Sequence, residues 1–140
     1  MRKRANAIAS WLMLGLWAAV SGCGPSSQVS VQGRVTFDGQ PVGPGSIVFL
    51  PEAGSEAVKL AAPIEDGKYR IGTERGAKPG AFRVEISWSK KTGRQIPSAD
   101  PGMMMDETQE AIPAQYNTQS TLRRELKPGD NVCDFELSSR

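Results

Sequence analysis

The feature that most constrains this chain is a series of period-two runs punctuated by Asp-Gly and Pro-Gly dipeptides. Phe82, Val84, Ile86 and Trp88 alternate with Arg83, Glu85, Ser87 and Ser89, and residues two apart share one face of a strand. Val29, Val31, Gly33, Val35 and Phe37 alternate in the same way with Ser30, Gln32, Arg34 and Thr36. That run ends at Asp38-Gly39, a dipeptide suited to a tight turn with positive φ. An apolar run over 46–50 stops at Pro51, and segments 57–65 and 68–73 flank Asp66-Gly67, the clearest hairpin signal in the chain. Lys78-Pro79-Gly80 turns into the strand that carries Trp88. Segments 121–127 and 132–137 bracket a predicted turn at Pro128-Gly129-Asp130-Asn131. In the last strand Cys133, Phe135 and Leu137 are expected inside, with Asp134 and Glu136 in water. Leu122 and Leu126 share a face with Arg124, which puts that strand at an edge or lays the arginine stem against the core. The pattern predicts an all-β domain of about seven short strands at sandwich-like spacing.

Segment 90–114 breaks the pattern. It is polar, contains Pro97, Pro101 and Pro113, and carries the run Met103-Met104-Met105. The expectation is a long polar loop, mobile in part, because such lengths inside a compact domain are uncommon and often functional or disordered. Within it, 106–112 is the one candidate for a short helical turn.

The start of the chain reads as an address. Arg2, Lys3 and Arg4 precede 16 uncharged residues, Ala5 to Val20, rich in Leu, Ala and Trp. This is the charged and then apolar layout of an export signal, short of the roughly 20 apolar residues that span a bilayer. Val20-Ser21-Gly22-Cys23 then resembles the bacterial lipobox, in which a diacylglycerol is joined to the cysteine and the chain is cut just before it. The resemblance implies removal of 1–22, lipid attachment at Cys23, a short linker over 23–28 and a domain over 29–140. The alternatives are an ordinary secretory signal with an incidental cysteine and an uncleaved N-terminal anchor. Gly24, where an Asp often signals inner-membrane retention, leans toward the outer membrane by the same analogy. The linker after Cys23 reaches no more than roughly 18 Å, so the domain sits close to the bilayer.

Charge and composition exclude several function classes. Removing Arg2, Lys3 and Arg4 with the signal takes the balance from 17 basic and 15 acidic residues to 14 and 15. No basic stripe argues for nucleic acid. Histidine is absent, which removes the commonest general base and metal ligand, and every Ser-His or Cys-His pair. With Cys23 lipidated, Cys133 has no partner within the chain and reads as a small buried hydrophobe. An intermolecular bridge is the alternative, or a Cys23–Cys133 disulfide if Cys23 carries no lipid.

Gly33-Arg-Val-Thr-Phe-Asp-Gly-Gln-Pro-Val, followed by Ile47-Val-Phe-Leu-Pro, resembles the first two strands of carboxypeptidase-regulatory-like domains. Asp66-Gly-Lys-Tyr-Arg-Ile and Lys78-Pro-Gly-Ala-Phe-Arg-Val-Glu-Ile continue the likeness. The stretch Ile112-Pro-Ala-Gln-Tyr-Asn, with Ser120-Thr-Leu, Lys127-Pro-Gly-Asp-Asn and Asp134-Phe-Glu-Leu, is similar to small bacterial lipoproteins carrying this domain. The resemblance implies a seven-stranded Greek-key β-sandwich of the transthyretin (prealbumin) type, exported and without catalytic residues. One transthyretin-related branch hydrolyses 5-hydroxyisourate, but it uses histidines and a Tyr-Arg-Gly-Ser-type motif, where this chain carries Phe135-Glu-Leu-Ser-Ser-Arg.

Other candidate residues have plain readings. Met103-Met104-Met105 offers soft thioethers to Cu(I), yet adjacent methionines converge poorly on one ion, and loop or partial core packing is the better reading. Asp38, Asp66, Asp100, Asp106 and Asp130 lack the spacing of a calcium loop. Trp88, Tyr69, Tyr116 and Phe82 would make an aromatic platform for sugar. Trp88 falls on the inward side of its strand, however, and Tyr116 is the aromatic best placed for a surface. Arg123-Arg124 reads as a solvated face. The expectation is therefore a non-catalytic, cofactor-free and metal-free module at the bacterial cell envelope, facing periplasm or exterior. It is held to the membrane through Cys23, with an envelope protein or a glycan as partner and no nucleic acid. A purely structural envelope component and a carboxylate-dependent, glycan-directed enzyme are the alternatives.

Overall fold

The computed structural model describes residues 28–140; the expected signal, Cys23 and the linker up to Ser27 lie outside the described residues. Eleven strands follow in chain order among the described residues. They are β1 (Val29–Phe37), β2 (Gln40–Pro41), β3 (Gly45–Pro51), β4 (Leu60–Ile64), β5 (Lys68–Ile71), β6 (Gly80–Ser87), β7 (Ser89–Pro97), β8 (Met104–Glu110), β9 (Arg123–Leu126), β10 (Gly129–Val132) and β11 (Phe135–Leu137). Two single 3-10 turns, Thr73–Arg75 and Ala114–Tyr116, lie between strands. The protein is all-β, as the alternation predicts.

Two sheets form a sandwich-like body. One is antiparallel in the order β4-β3-β6-β9. In the other β1 is central, with β5 and β2 antiparallel along one side and β10 and β11 parallel along the other. The inward set is the one the alternation selects: Val29, Val31 and Val35 of β1, Ile47 and Phe49 of β3, and Phe82, Val84 and Ile86 of β6 are all fully buried. Each such side chain contributes about 1.5–3 kcal/mol by leaving water. Phe49 lies at the centre, its ring 6.1, 6.3 and 6.4 Å from those of Tyr69, Phe82 and Phe135. Cys133 and Leu137 are buried beside Phe135, while Asp134 and Glu136 face solvent.

Four predicted details differ. Asp66-Gly67 is a tight turn with φ of 48° and 73°, closed by the Glu65–Lys68 bridge. The flanking strands do not pair with each other, because β4 pairs with β3 and β5 with β1; the turn carries the chain between sheets instead of closing a hairpin. The predicted turn at 128–131 is already strand β10 from Gly129 on. Segment 90–114 is no long loop, since β7 and β8 pair through it, and the expected helical turn over 106–112 is instead strand β8 as far as Glu110. The strand count therefore exceeds the expected seven.

β10 and β11 are one strand interrupted. Val29 faces Gly129 and Val35 faces Phe135, the same offset of 100 on either side of a break at Cys133-Asp134. At the break Arg34 donates its backbone N–H to Asp134 Oδ1 at 2.7 Å, a side chain standing in for the missing ladder bond. The buried Tyr69 hydroxyl donates to Cys133 O at 2.7 Å. Gly33 makes this approach feasible: a Cβ there would lie 2.0 Å from Cys133 O.

Three short connections, Phe37 to Gly45, Ile64 to Lys68 and Leu126 to Gly129, keep corresponding strand ends together. Val29, Ile71, Gly80 and Gly129 thus lie at one end of the body, and Phe37, Ile64, Ser87 and Leu137 at the other. The chain enters the body at the first end. The β7–β8 ribbon leaves it at the second.

Candidate functional site

The ribbon grows from a fixed root. Trp88, the last inward residue of the β6 run, is buried, and its carbonyl accepts the Ala111 N–H at 2.9 Å. Glu110 Oε1 accepts the N–H groups of both Trp88, at 2.8 Å, and Ile112, at 3.0 Å. One carboxylate therefore ties the outgoing strand to the returning one. Lys90 covers the Trp88 ring, its Nζ 3.7 Å from the centroid.

Beyond the root, both ribbon faces are wet. Every β7 residue except the half-buried Ile96 is exposed, and in β8 only Asp106 and Glu107 are partly covered. The register slips between Lys91 and Gln95, so Glu107 alone faces Thr92-Gly93-Arg94. Its Oε2 accepts from Thr92 Oγ1 at 2.6 Å and lies 3.9 Å from Arg94 Nε. Lys91 pairs with Asp106. The hydrogen bond from Lys91 holds the Asp106 carboxyl below the usual carboxylate range, and the same bond pushes the Lys91 ammonium up. At the tip Ser98 N–H donates to Met103 O at 2.8 Å.

Met103, Met104 and Met105 are 60, 55 and 51 % exposed, so they do not pack in the core; Met103 lies in the loop at the ribbon tip, as expected, whereas the other two are in strand. Met104 and Met105 open β8, and successive strand residues face opposite ways. Three thioethers arranged so do not converge on one ion. Among the described residues no group of three or more Cys, Asp or Glu is placed to hold a metal.

The return from the ribbon, 111–122, was legible as a motif but not as a structural device. Ile112 is buried, and the buried Asn117 donates from Nδ2 to its carbonyl at 3.1 Å. Ser120, also buried, donates from Oγ to Val84 O and accepts Leu122 N–H at 3.2 Å. Asn117 closes the returning segment on itself, and Ser120 straps it to β6. The signal in the sequence is slight: Asn117 directly after Tyr116, and Ser120 two residues before Leu122.

The remaining candidates disperse. Tyr69, Phe82 and Trp88 are core residues; Tyr116 is half-buried against that core, and its hydroxyl accepts Ser138 N–H at 3.4 Å. No aromatic platform forms from these four. Arg123 pairs with Glu52, whereas Arg124, expected to be solvated, lies 4.6 Å over the Phe135 ring and donates to Asp134 O at 3.3 Å. The Leu122–Arg124–Leu126 pattern left an edge strand or an arginine laid on the core as alternatives, and β9 is both: it ends its sheet, and Arg124 covers Phe135 at the seam to β11. Asp38 and Asp66 occupy turns with φ of 49° and 48°. Ser139 N–H bonded to Asp38 holds that carboxyl low. Both displaced carboxyls, Asp38 and Asp106, move away from the raised pKa that a general acid needs. Burial pushes the Cys133 thiol and, far more, the Tyr69 phenol up.

Among the described residues no helix is long and apolar enough to cross a membrane. Comparison with protein-family models, with curated proteins and with solved structures finds no match to this chain.

Proposed function

We propose that this protein is an exported, lipid-anchored, non-catalytic β-sandwich that serves binding or assembly at the bacterial cell envelope, facing periplasm or exterior, with the outer membrane favoured. The observation that carries the reading is the position of the ribbon. The chain enters the body at Val29 and the ribbon leaves at the opposite end, so a tether at Cys23 would hold β7–β8 away from the bilayer and toward an envelope protein or glycan. A transthyretin-like Greek key is the form of sandwich we propose. In its favour, seven strands remain when β2 and the ribbon are set aside and β10 and β11 are taken as one.

Mass spectrometry of the mature N-terminus tests the anchor: the expected product begins at a diacylglycerol-modified Cys23, and an intact Met1 or an unmodified Cys23 would refute it. Cys23→Ser should release the protein from membranes. For the ribbon, replacing 92–108 by a short Gly-Ser turn should abolish recovery of envelope partners in crosslinked pull-downs while leaving membrane attachment intact.

A further inference from the structure

The outer face of the β5–β1–β10/β11 sheet is charged in opposite senses on its two sides. Alternation points Lys68 and Arg70 of β5 outward on one side, and Arg34 outward from the central β1. On the other side Asp130, Val132, Asp134 and Glu136 point outward. Arg34 stands directly across from Lys68, an arrangement of like charges that destabilises a sheet. Among the described residues none of the ion pairs uses Arg34, Lys68, Arg70, Asp134 or Glu136. Val132, between the acidic residues, is 69 % exposed.

We infer that this face binds the same face of a second copy of the chain, in a two-fold dimer whose axis runs along the strands. A small anion would answer the cations and leave the acidic column and Val132 unmatched. A second copy answers both flanks, because a rotation about an axis over and parallel to β1 exchanges the β5 side for the β10/β11 side, leaving only Arg34, beside the axis, to face its own copy. Lys68 and Asp134 both register with Arg34, so they lie at the same height along the strands and that rotation sets them opposite each other. An axis across the strands would instead stack β5 on β5 and cation on cation. The charge pattern thus selects one symmetry. It also leaves both Val29 ends together and both ribbons together, so two Cys23 tethers would enter one bilayer. That last consequence rests on the proposed anchor; the pairing of faces does not.

The test is sedimentation equilibrium of the full-length protein in detergent, across a salt series. A dimer is expected at low ionic strength, weakening as salt screens the exposed charges beyond a Debye length of about 10 Å at 0.1 M. Lys68→Glu and Glu136→Lys, each changing an exposed residue, should each weaken it about tenfold or more. An equimolar mixture of the two variants should recover heterodimers, which misfolded chains would not do. A monomer at every concentration would overturn the inference. So would a dimer indifferent to salt and to both reversals, or one abolished instead by serine at Met103, Met104 and Met105.

Discussion

β6 and β7 are consecutive strands of eight and nine residues, separated by Trp88 alone, and they are held in place by different physics. β6 has a partner on each side, β3 and β9, and buries Phe82, Val84 and Ile86 completely. β7 has β8 alone, with no apolar layer on either face. A two-stranded ribbon of that kind is marginal in water. Here it is held by the Glu110 root, by Lys91–Asp106, and by Glu107 at the register slip. The body is therefore stabilised by apolar burial, which acids and salt leave untouched, and the ribbon by charge-assisted contacts, which they do not. An interaction surface that must stay open to a partner belongs with the second kind.

The largest effect should come from the centre of the body. Phe49→Ala empties the ring cluster and is expected to cost about 3–5 kcal/mol, read as a lower denaturant midpoint with the ribbon melting in the same transition. An unchanged midpoint would mean that the core lies elsewhere.

Next comes the interrupted strand. Gly33→Ala forces a methyl against Cys133 O and should cost about 1–3 kcal/mol, moving the Tyr69 hydroxyl off its acceptor. Loss of the protected Tyr69 signal in ultraviolet spectra would report it.

Glu110→Ala cuts both root bonds and should cost about 1.5–3 kcal/mol. It sharpens the comparison, because amide exchange should rise in β7 and β8 while β3 and β6 stay protected. Equal loss in both regions would show that the ribbon and body unfold as one unit.

The smallest effect is in pH. The folded pKa of Asp106 is lowered, so its contribution is present above the unfolded value, about 3.9, and fades as pH falls through the folded one. The folded pKa of Lys91 is raised, so its contribution is present below about 10.4 and fades as pH rises through the folded value. Ribbon exchange should therefore quicken in acid below about pH 4 and again in strong alkali, with little change in the body between them.

How much of this was legible follows from where water is. In β1, β3, β6 and β11 one face is dry, and the alternation of Val, Ile and Phe announces it residue by residue. β7 and β8 have no dry face, so Lys91, Thr92, Gln95, Thr108 and Gln109 carry no such signal, and a polar loop was the natural expectation. Asp66-Gly67 was readable as a turn because φ near 50–75° suits those residues. The partner sheet of each flanking strand was not, since backbone pairing is decided by neighbours far away in sequence. Cys133 was readable as a buried hydrophobe. Its carbonyl as the acceptor of Tyr69, against Gly33, was not.

Residue order along the chain was enough for an all-β body, most of its inward residues, its two Asp-Gly turns, and the charge and histidine content that bound its chemistry. These are local properties: side-chain period, allowed φ, and residue type. Folding in three dimensions was needed to make β10 and β11 one strand laid parallel to β1, to line two sides of one sheet face with opposite charges, and to send the ribbon out at the end opposite Val29. Each depends on the register between segments up to 100 residues apart, which a side-chain period cannot encode.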